Sequence, residues 1–306
     1  MSLEGDKVFL TMNGLQVFDV NTGATLWSAA YADDVSGSKG KVYYGTIADP
    51  LRVGRDVYII NRTKKTKKYS IQKYDVNTGK LLWSTPEFKS AKAIPNLFVI
   101  EDKLIAQLGG VVEFQSRNVV RNSDGSVSIV EVIDVENIKP NGLKAFNVKD
   151  GSEAWDSEKF KKGITNAYAS GENLIVCSGK ALYSIRYSDG NVNYEEDARN
   201  GGVGLVVQIL PYKNNIVVVG EKGVSLFKEA DGKLVKANKY KKAKVEKVVG
   251  NIMLMRTPKN DFAAFNLDDC SYVMYNAKKD SKQFLSEDGK FVWAYEKKQV
   301  SKLKTR

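Results

Sequence analysis

The stretch that decides the fold is Phe18-Asp19-Val20-Asn21-Thr22-Gly23-Ala24-Thr25-Leu26-Trp27, because the chain repeats it. Close copies follow as Tyr74-Asp75-Val76-Asn77-Thr78-Gly79-Lys80-Leu81-Leu82-Trp83 and Phe146-Asn147-Val148-Lys149-Asp150-Gly151-Ser152-Glu153-Ala154-Trp155. Each copy predicts a strand, a tight turn and a second strand, because Asn or Asp beside Gly supplies the positive φ that a hairpin turn requires. The aromatic residue before the turn and the Trp after it are side chains that pack well on strands.

Three weaker copies follow, and their turn positions are Gly190, Gly232 and Cys270. In all six copies an apolar residue stands five positions before the turn position. The Trp position changes in the later copies to Tyr194, Lys236 and Met274. Successive turn positions are 56, 72, 39, 42 and 38 residues apart, which we interpret as one unit of about 40 residues with insertions in the two longer intervals.

Each unit has room for four short strands, which we name A to D, and the repeated motif is the C–D turn. A period of about 40 residues with four antiparallel strands predicts the blade of an all-β propeller. We count seven blades, with six or eight as alternatives, and the first blade lacks strand A while the last lacks strand D. The expected domain spans residues 4–306 as one propeller, and we interpret residues 1–3 as cloning-derived. Sustained helical periodicity is absent, which disfavours an α/β fold.

The repeated motif, an aromatic residue followed by Asp-Val-Asn-Thr-Gly-x-x-Leu-Trp, resembles the PQQ-like (quinoprotein-type) propeller repeat. The resemblance is strong in the first three copies and weak after residue 200. This repeat recurs in quinoprotein alcohol dehydrogenases and in the envelope lipoprotein BamB of outer-membrane β-barrel assembly. The resemblance therefore implies a bacterial protein in a periplasmic or other extracytoplasmic location, and it leaves open an enzyme or a non-catalytic, BamB-like member of the class.

The composition argues against most kinds of catalysis. The chain has no His, which excludes His-based acid–base chemistry and His-ligated metals, and only two cysteines, Cys177 and Cys270. We expect both to be buried free thiols, with a disulfide as the alternative. Quinoprotein dehydrogenases carry adjacent cysteines, which this chain lacks, and Asp19, Asp75 and Asp189 are interpreted as turn residues. We therefore expect no catalytic residue, no cofactor and no metal site.

The charge balance points to acidic partners. Lys and Arg number 47 against 36 Asp and Glu, a net charge of +11. Such a charge favours anionic partners or surfaces, although solvated lysines give the same number. No apolar run is long enough for a membrane-spanning helix and no signal peptide is recognised, so the envelope location rests on the resemblance alone.

Two adjacent blades depart from the repeat on the face that carries the B–C and D–A connections. Residues 110–141 of blade 3 predict an inserted β-hairpin around Asp124-Gly125, and blade 2 carries a basic B–C connection. The hairpin either folds over its own blade or contacts a partner, and the basic residues either keep loops soluble or attract an acidic partner. The candidate partner-binding residues are Arg62, Lys64, Lys65, Lys67, Lys68, Phe114, Arg117 and Arg121.

Together these features predict a non-enzymatic propeller scaffold that binds a protein or an anionic polymer in a bacterial cell envelope. Nucleic acid is disfavoured because few aromatic residues interleave with the basic ones. Peripheral membrane association and the oligomeric state stay open. The alternative is a quinone- or metal-dependent enzyme, or a small-molecule receptor, that uses the central channel.

Overall fold

The structure is a computed structural model that describes residues 1–11, 14–32, 41–63, 65–121, 123, 126–157, 160–239, 244–257, 261–277 and 281–305. All regular secondary structure in these ranges is β-strand, arranged as 28 strands in seven sheets. No helix in these ranges has the length and apolar character needed to cross a membrane. The alternation of β-branched and aromatic residues between Gly-containing turns explains why the chain forms strands throughout.

The first sheet contains β1 (Ser2–Glu4), β2 (Lys7–Thr11), β3 (Leu15–Asp19) and β4 (Thr25–Ala29). Strand β5 (Lys41–Tyr44) comes next in the chain but joins the third sheet. The second sheet contains β6 (Leu51–Val53), β7 (Asp56–Arg62), β8 (Tyr69–Asp75) and β9 (Leu81–Ser84). The third contains β10 (Asn96–Ile100), β11 (Lys103–Arg121), β12 (Val127–Asn147) and β13 (Glu153–Asp156).

The fourth sheet contains β14 (Ile164–Ser170), β15 (Asn173–Ser178), β16 (Ala181–Arg186) and β17 (Val192–Asp197). The fifth contains β18 (Val206–Tyr212), β19 (Asn215–Gly220), β20 (Gly223–Lys228) and β21 (Leu234–Lys239). The sixth contains β22 (Lys244–Val249), β23 (Ile252–Arg256), β24 (Phe262–Asn266) and β25 (Tyr272–Tyr275). The seventh contains only β26 (Lys282–Leu285), β27 (Phe291–Glu296) and β28 (Gln299–Lys304).

This arrangement confirms the prediction of an all-β propeller with seven blades, each formed from consecutive antiparallel strands. The prediction that the first blade lacks strand A is wrong. Strand β1 pairs with β2 from Ser2↔Phe9 to Glu4↔Lys7, and Gly5, at φ +57°, allows the tight turn between them. Because three residues suffice for this innermost strand, Ser2 and Leu3 take part in the fold. Among the described residues the seventh sheet has three strands, A to C, as expected.

The C–D turns differ in one detail from the hairpin turn that we expected. Positive φ occurs at the glycine alone, for example +68° at Gly23 and +72° at Gly151, and Cys270 keeps this conformation at +56°. The Asp that begins the motif closes the turn instead: the carboxylate of Asp19 accepts hydrogen bonds from the backbone N–H groups of Asn21 and Thr22 and from the hydroxyl of Thr22. In the first two copies the acidic residue, Asp19 or Asp75, therefore caps the turn, and the glycine supplies the left-handed residue.

Contacts divide the chain into two compact units. Unit 1 comprises Met1–Ile164, Gly171–Asn173 and Arg186–Asn191, and unit 2 comprises Thr165–Ser170, Leu174–Ile185 and Val192–Arg306. The core of unit 1 is centred on strands of the second and third sheets and includes Tyr58, Ile71, Leu104 and Phe146. The cores of unit 2 lie between neighbouring sheets and include Val218 and Phe227 in one cluster and Met253 and Phe265 in another.

Candidate functional site

The main departure from the repeat is a long two-stranded extension of the third sheet, which we call the arm (residues 110–121 and 127–138). Strands β11 and β12 continue past the blade and remain paired as far as Arg121↔Val127. The register shifts between Leu108 and Gly110, where Gly109 has φ +66° and a Cβ would lie 2.0 Å from the carbonyl oxygen of Pro140. A β-bulge that only glycine permits therefore marks the point where the arm leaves the blade.

Strand β5 adds a third strand to the arm, and the sequence did not reveal it. Its register with β11 runs from Glu113↔Tyr44 to Ser116↔Lys41, so the connection between the first and second sheets is attached to the third. The order β5-β11-β12 gives the arm two distinct faces, because directly paired residues of neighbouring strands point to the same side.

The inner face of the arm has a small core of its own. Tyr43, Val112 and Phe114 are buried there, with Ile138 packed against them. The ring of Tyr43 lies 5.7 Å from that of Phe114, and the Lys41 ammonium lies 4.2 Å from the Phe114 ring centre. Phe114, only 8% exposed, therefore holds β5 on the arm. Phe114, which the sequence suggests as a partner-binding residue, is thus buried against Tyr43 and Val112 in the structure.

Glu136 joins this inner face to β5. Its carboxylate accepts hydrogen bonds of 2.9 Å from the Lys41 ammonium and from the Tyr43 hydroxyl. These two donors, Lys41 first, hold the pKa of Glu136 below its usual range. The carboxylate is therefore ionised at neutral pH and supports the docking of β5.

The outer arm face exposes five apolar residues, and its middle strand also places Glu113 and Gln115 on this face; the apolar residues are Val42, Tyr44, Val111, Ile133 and Val135. Ile133 is 66% exposed and Val135 60%, which is unusual for aliphatic residues that lie side by side on a sheet. Gln115 lies between Val42 and Ile133 on this face. Its side chain accepts a hydrogen bond from the Tyr44 hydroxyl and donates one to Glu131. Exposed apolar residues interspersed with polar groups are typical of a protein-binding patch.

The edge of β12 is less available than this face. The backbone N–H of Val135 donates a hydrogen bond of 2.8 Å to the carboxylate of Asp134. A charged side chain that covers its own strand edge disfavours the addition of a further strand. This edge of the arm is therefore less open to strand addition than its exposed face is to contact.

The connection between β7 and β8 forms a compact loop, which we call the basic turn (residues 62–68). The N–H of Thr63 donates to the carbonyl of Lys68, the N–H of Lys67 donates back to the carbonyl of Thr63, and Lys67 has φ +58°. Arg62, Lys65, Lys67 and Lys68 are all exposed, whereas Lys64 lies outside the described residues. The closed backbone explains why four cationic side chains point outward from so short a segment.

The carboxylate of Glu87 lies against the basic turn. It accepts hydrogen bonds from the hydroxyls of Thr63 and Thr66, which together with nearby Lys68 hold its pKa below the usual range. Lys89 and Lys92 are exposed in the connection between β9 and β10, which also contains Glu87. They add two cations that were not among the residues predicted from the sequence. The sequence places both lysines in the D–A connection that leads into the sheet with the inserted hairpin, so they could have been predicted from it.

Two D–A connections of unit 1, between β4 and β6 and between β9 and β10, link the basic turn to the base of the arm. The N–H of Phe88 donates to the carbonyl of Tyr69, next to the basic turn, and the N–H of Gly109, at the arm's base, donates to the carbonyl of Ala93. Between them, Ile47 and Ile94 form a parallel bridge. Arg121 is exposed at the end of β11, and the backbone of Arg117 pairs with Glu131, while the Arg117 side chain lies outside the described ones.

The Asp and Cys residues that the sequence analysis weighed for chemistry have structural surroundings. Asp19, Asp75 and Asp189 each accept backbone N–H groups of their own C–D turn, which lowers the pKa of all three. Cys177 and Cys270 are buried free thiols, as expected, and burial raises their pKa values to about 12 and about 11. Among the described side chains, no three of His, Cys, Asp or Glu converge closely enough to hold a metal ion.

Comparison with known proteins supports the fold. No protein-family model matches the chain, and no curated protein matches it significantly. Among solved structures the chain is similar to BamB from Moraxella catarrhalis, with a TM-score of 0.51 and 12% identity over 100% of this chain and 90% of that chain. It is also similar to the computationally designed Ika8 protein, with a TM-score of 0.43 and 11% identity over 100% of this chain and 95% of that chain. The resemblance to a BamB-like propeller is thus confirmed for the fold.

Proposed function

We propose that this protein is a non-enzymatic propeller scaffold that binds a partner protein through the outer arm face, assisted by the basic turn. The observation that carries the proposal is the exposure of Val42, Tyr44, Val111, Ile133 and Val135 on one side of a three-stranded sheet. Burying such a surface removes apolar area from water, which contributes about 25 cal/mol per Å².

The basic turn suits a role in encounter more than in affinity. Its cations are exposed and screened by salt over about 8 Å at physiological ionic strength. They accelerate the approach of an acidic partner, while the apolar face supplies contact area. The bacterial envelope as the location rests on the likeness of the repeat to BamB-type propellers, which is an argument from the fold class.

The experiment is capture from a bacterial envelope extract, followed by identification of the bound protein and titration with that protein once purified. The test variant is Ile133→Ser with Val135→Ser. Its matched control is Val192→Ser with Val235→Ser, at 54% and 58% exposure on outer strands of other sheets. The proposal predicts that the partner binds the intact protein and the control variant with equal affinity. It predicts that the test variant no longer binds the partner.

A third variant changes Arg62, Lys65, Lys67 and Lys68 to Gln. We expect slower association and a weaker dependence of binding on salt, with a smaller change in the dissociation rate. If the variant with both serines on the arm captures the same protein with unchanged affinity, the outer arm face is not the binding surface.

A further inference from the structure

Three asparagines of this chain stand directly before a glycine: Asn13, Asn141 and Asn200. In such a pair the backbone nitrogen of the glycine can attack the side-chain amide carbon of the asparagine, a reaction that glycine favours because it has no Cβ to block the approach. Folding decides whether the two groups can meet. Asn13 lies outside the described residues, so the structure separates the other two.

Asn141 is held in a buried strand. It lies within β12 at 3% exposure, and the following residue, Gly142, pairs with Leu108 of β11. The carbonyl of Asn141 also accepts a hydrogen bond of 3.0 Å from the N–H of Phe160. The nitrogen of Gly142 can rotate towards the Asn141 side chain only after these contacts open, so folding should suppress the reaction at this site.

Asn200 lies in an exposed turn of the D–A connection between β17 and β18. Residues 199–202 form this turn, which a hydrogen bond of 3.0 Å from the N–H of Gly202 to the carbonyl of Arg199 closes. The backbone has φ +90° at Gly201, whereas φ is not positive at Asn200, and this combination fits a type II turn. The N–H of Gly201 takes no part in closing such a turn.

Neither reacting group at Asn200 is held by a hydrogen bond. Within the described ranges the N–H of Gly201 has no acceptor, the side chain of Asn200 has no partner, and Asn200 is exposed. The central peptide of the turn can rotate while the closing bond stays in place, because only ψ of Asn200 and φ of Gly201 change. This rotation moves the Gly201 nitrogen towards the amide carbon of Asn200.

Aspartate before glycine can form the same cyclic imide, but the turns of this chain prevent it. In the four such pairs that the structure describes, the glycine N–H donates to an earlier backbone carbonyl at 2.8–3.0 Å; the glycines are Gly151, Gly190, Gly232 and Gly289. In three of the pairs, hydrogen bonds to the carboxylate also lower the pKa of the aspartate, which stays ionised and is a poor electrophile; these are Asp150, Asp189 and Asp288. The free N–H of Gly201 therefore sets Asn200 apart.

We propose that Asn200 is a site of spontaneous deamidation in the folded protein. The Gly201 nitrogen gives its proton to solvent base and forms a bond to the amide carbon of Asn200, whose C–N bond breaks and releases ammonia. Water then opens the succinimide at either carbonyl and leaves aspartate or isoaspartate, with no oxidation or reduction. Both products carry a new negative charge, and isoaspartate also lengthens the main chain by one methylene group.

The connection has little room for a longer main chain. A Cβ on Gly201 would lie 2.5 Å from the Cβ of Ala237 in β21. Val203, two residues further on, is fully buried in a core with Val218 and Phe227. Because the connection is packed on both counts, isoaspartate at position 200 should displace it and loosen this part of unit 2.

The test compares folded and unfolded protein. The purified full-length protein is incubated at pH 8 in buffer and in denaturant, and each asparagine is followed by peptide mapping, in which deamidation adds one mass unit. An isoaspartyl methyltransferase with labelled S-adenosylmethionine then detects the isoaspartate. In denaturant we expect Asn141 and Asn200 to react at similar rates, because a glycine follows both.

In buffer we expect Asn200 to react at least tenfold faster than Asn141, since only Asn141 must wait for a strand to open. If Asn200 stays unmodified in buffer while both asparagines react in denaturant, the turn protects it and the proposal is wrong. Equal rates for the two asparagines in buffer would also overturn it.

A variant at the same position tests the structural consequence. Asn200→Gln keeps an amide but forms the larger cyclic imide much more slowly, and the exposed side chain leaves no hydrogen bond unmade. After incubation in buffer, the amides of residues 203–206 should exchange faster in the intact protein and remain unchanged in Asn200→Gln. Asn214→Gln is the matched control, because Asn214 is also exposed but precedes Asn215, and it should age like the intact protein. Equal exchange in the aged intact protein and aged Asn200→Gln would refute the loosening of the connection.

Discussion

The indole N–H of Trp83 donates a hydrogen bond of 2.9 Å to the backbone carbonyl of Val148, which ties strand D of the second sheet to the C–D turn of the third. The same ring lies over Gly151, the turn glycine, where a Cβ would come within 2.6 Å of it. One side chain therefore bonds a carbonyl of the neighbouring turn and requires glycine in that turn. The motif is repeated because each copy has two roles. Its first half forms a turn whose carbonyl accepts a hydrogen bond from the preceding blade, and its second half carries the aromatic residue that donates to the turn of the next blade.

This relationship recurs along the chain. Trp27 donates to the carbonyl of Val76, Trp155 to that of Tyr187, and the Tyr194 hydroxyl to that of Glu229. Where the Trp position is Lys236, the link is replaced: Asn238 donates from its side chain to the carbonyl of Cys270. In the fourth and fifth copies the loss of the Trp is thus accompanied by a change of donor.

We expect Gly151→Ala to destabilise the protein more than Gly23→Ala. Both glycines have φ near +70°, where a Cβ costs about 1 kcal/mol. A Cβ at position 151 also clashes with Trp83, whereas one at position 23 meets nothing within 4 Å. Overpacking adds about 1–3 kcal/mol, so equilibrium denaturation should show the larger loss in Gly151→Ala. Equal losses in the two variants would show that the ring contact contributes nothing.

Acid should weaken the contribution of Asp268 to the stability of the folded protein. Its carboxylate accepts hydrogen bonds from Lys213, Tyr212 and Asn251, which lower its pKa to about 2. Because the folded pKa is depressed, the stabilisation is present above the unfolded pKa near 3.8 and is lost as pH falls from there towards 2. Denaturation of Asp268→Asn and the intact protein should therefore differ at pH 7 and converge near pH 2. A constant difference across this range would contradict the assignment.

The sequence predicted the parts of the fold that depend on local chemistry. The motif around Gly23 and Gly79 contains the turn, the strand pattern and the ring that covers the next turn, so the blades and their number follow from it. Strand β1 was missed because three residues carry too little pattern, although Gly5 supplies the left-handed residue that its turn needs.

The candidate site was harder to predict, because it depends on contacts between distant residues. Strand β5 forms because β11 offers it an edge about 70 residues further along the chain, at Glu113↔Tyr44. The sequence predicted the hairpin but not which of its faces is buried: Phe114 lies on the buried face, where Tyr43 of β5 packs against it, and Ile133 lies on the exposed face.

Both cysteines should be inert in the folded protein. Burial raises the pKa of Cys177 to about 12 and of Cys270 to about 11, so little thiolate exists at pH 8 and reagent access is blocked. A thiol reagent such as Ellman's should detect neither thiol in native protein and both after unfolding in denaturant. Fewer than two thiols under denaturing, non-reducing conditions would reveal a disulfide or a modification.

We expect no dye-linked oxidation of alcohols or sugars when quinone and calcium are added to the purified protein. The chain lacks the adjacent cysteines of quinoprotein dehydrogenases, and the carboxylates of Asp19, Asp75 and Asp189 are held by their own turns. The measurement is dye reduction with and without substrate, and a quinoprotein dehydrogenase serves as the positive control. Turnover above the substrate-free rate would overturn the non-enzymatic assignment.

Phe114→Ala should loosen the arm without unfolding the blades. Phe114 packs with Tyr43 and Val112 in a cluster that is separate from the main core of unit 1. Removing its ring costs about 3–5 kcal/mol where the residue is fully enclosed, and less at the edge of a small cluster. Because the main core keeps its contacts, the loss should appear as local opening and not as global unfolding.

Hydrogen exchange measures this opening. Amides of Lys41–Tyr44 and of residues 112–116 should exchange faster in Phe114→Ala, while those of residues 57–60 and 104–106 in the main core should not change. Phe146→Ala is the matched control, because Phe146 lies in the main core at 1% exposure and its loss should accelerate exchange throughout unit 1 and lower the melting temperature. If Phe114→Ala lowers the melting temperature as much as Phe146→Ala, the arm is part of the cooperative folding unit of the propeller and does not open on its own.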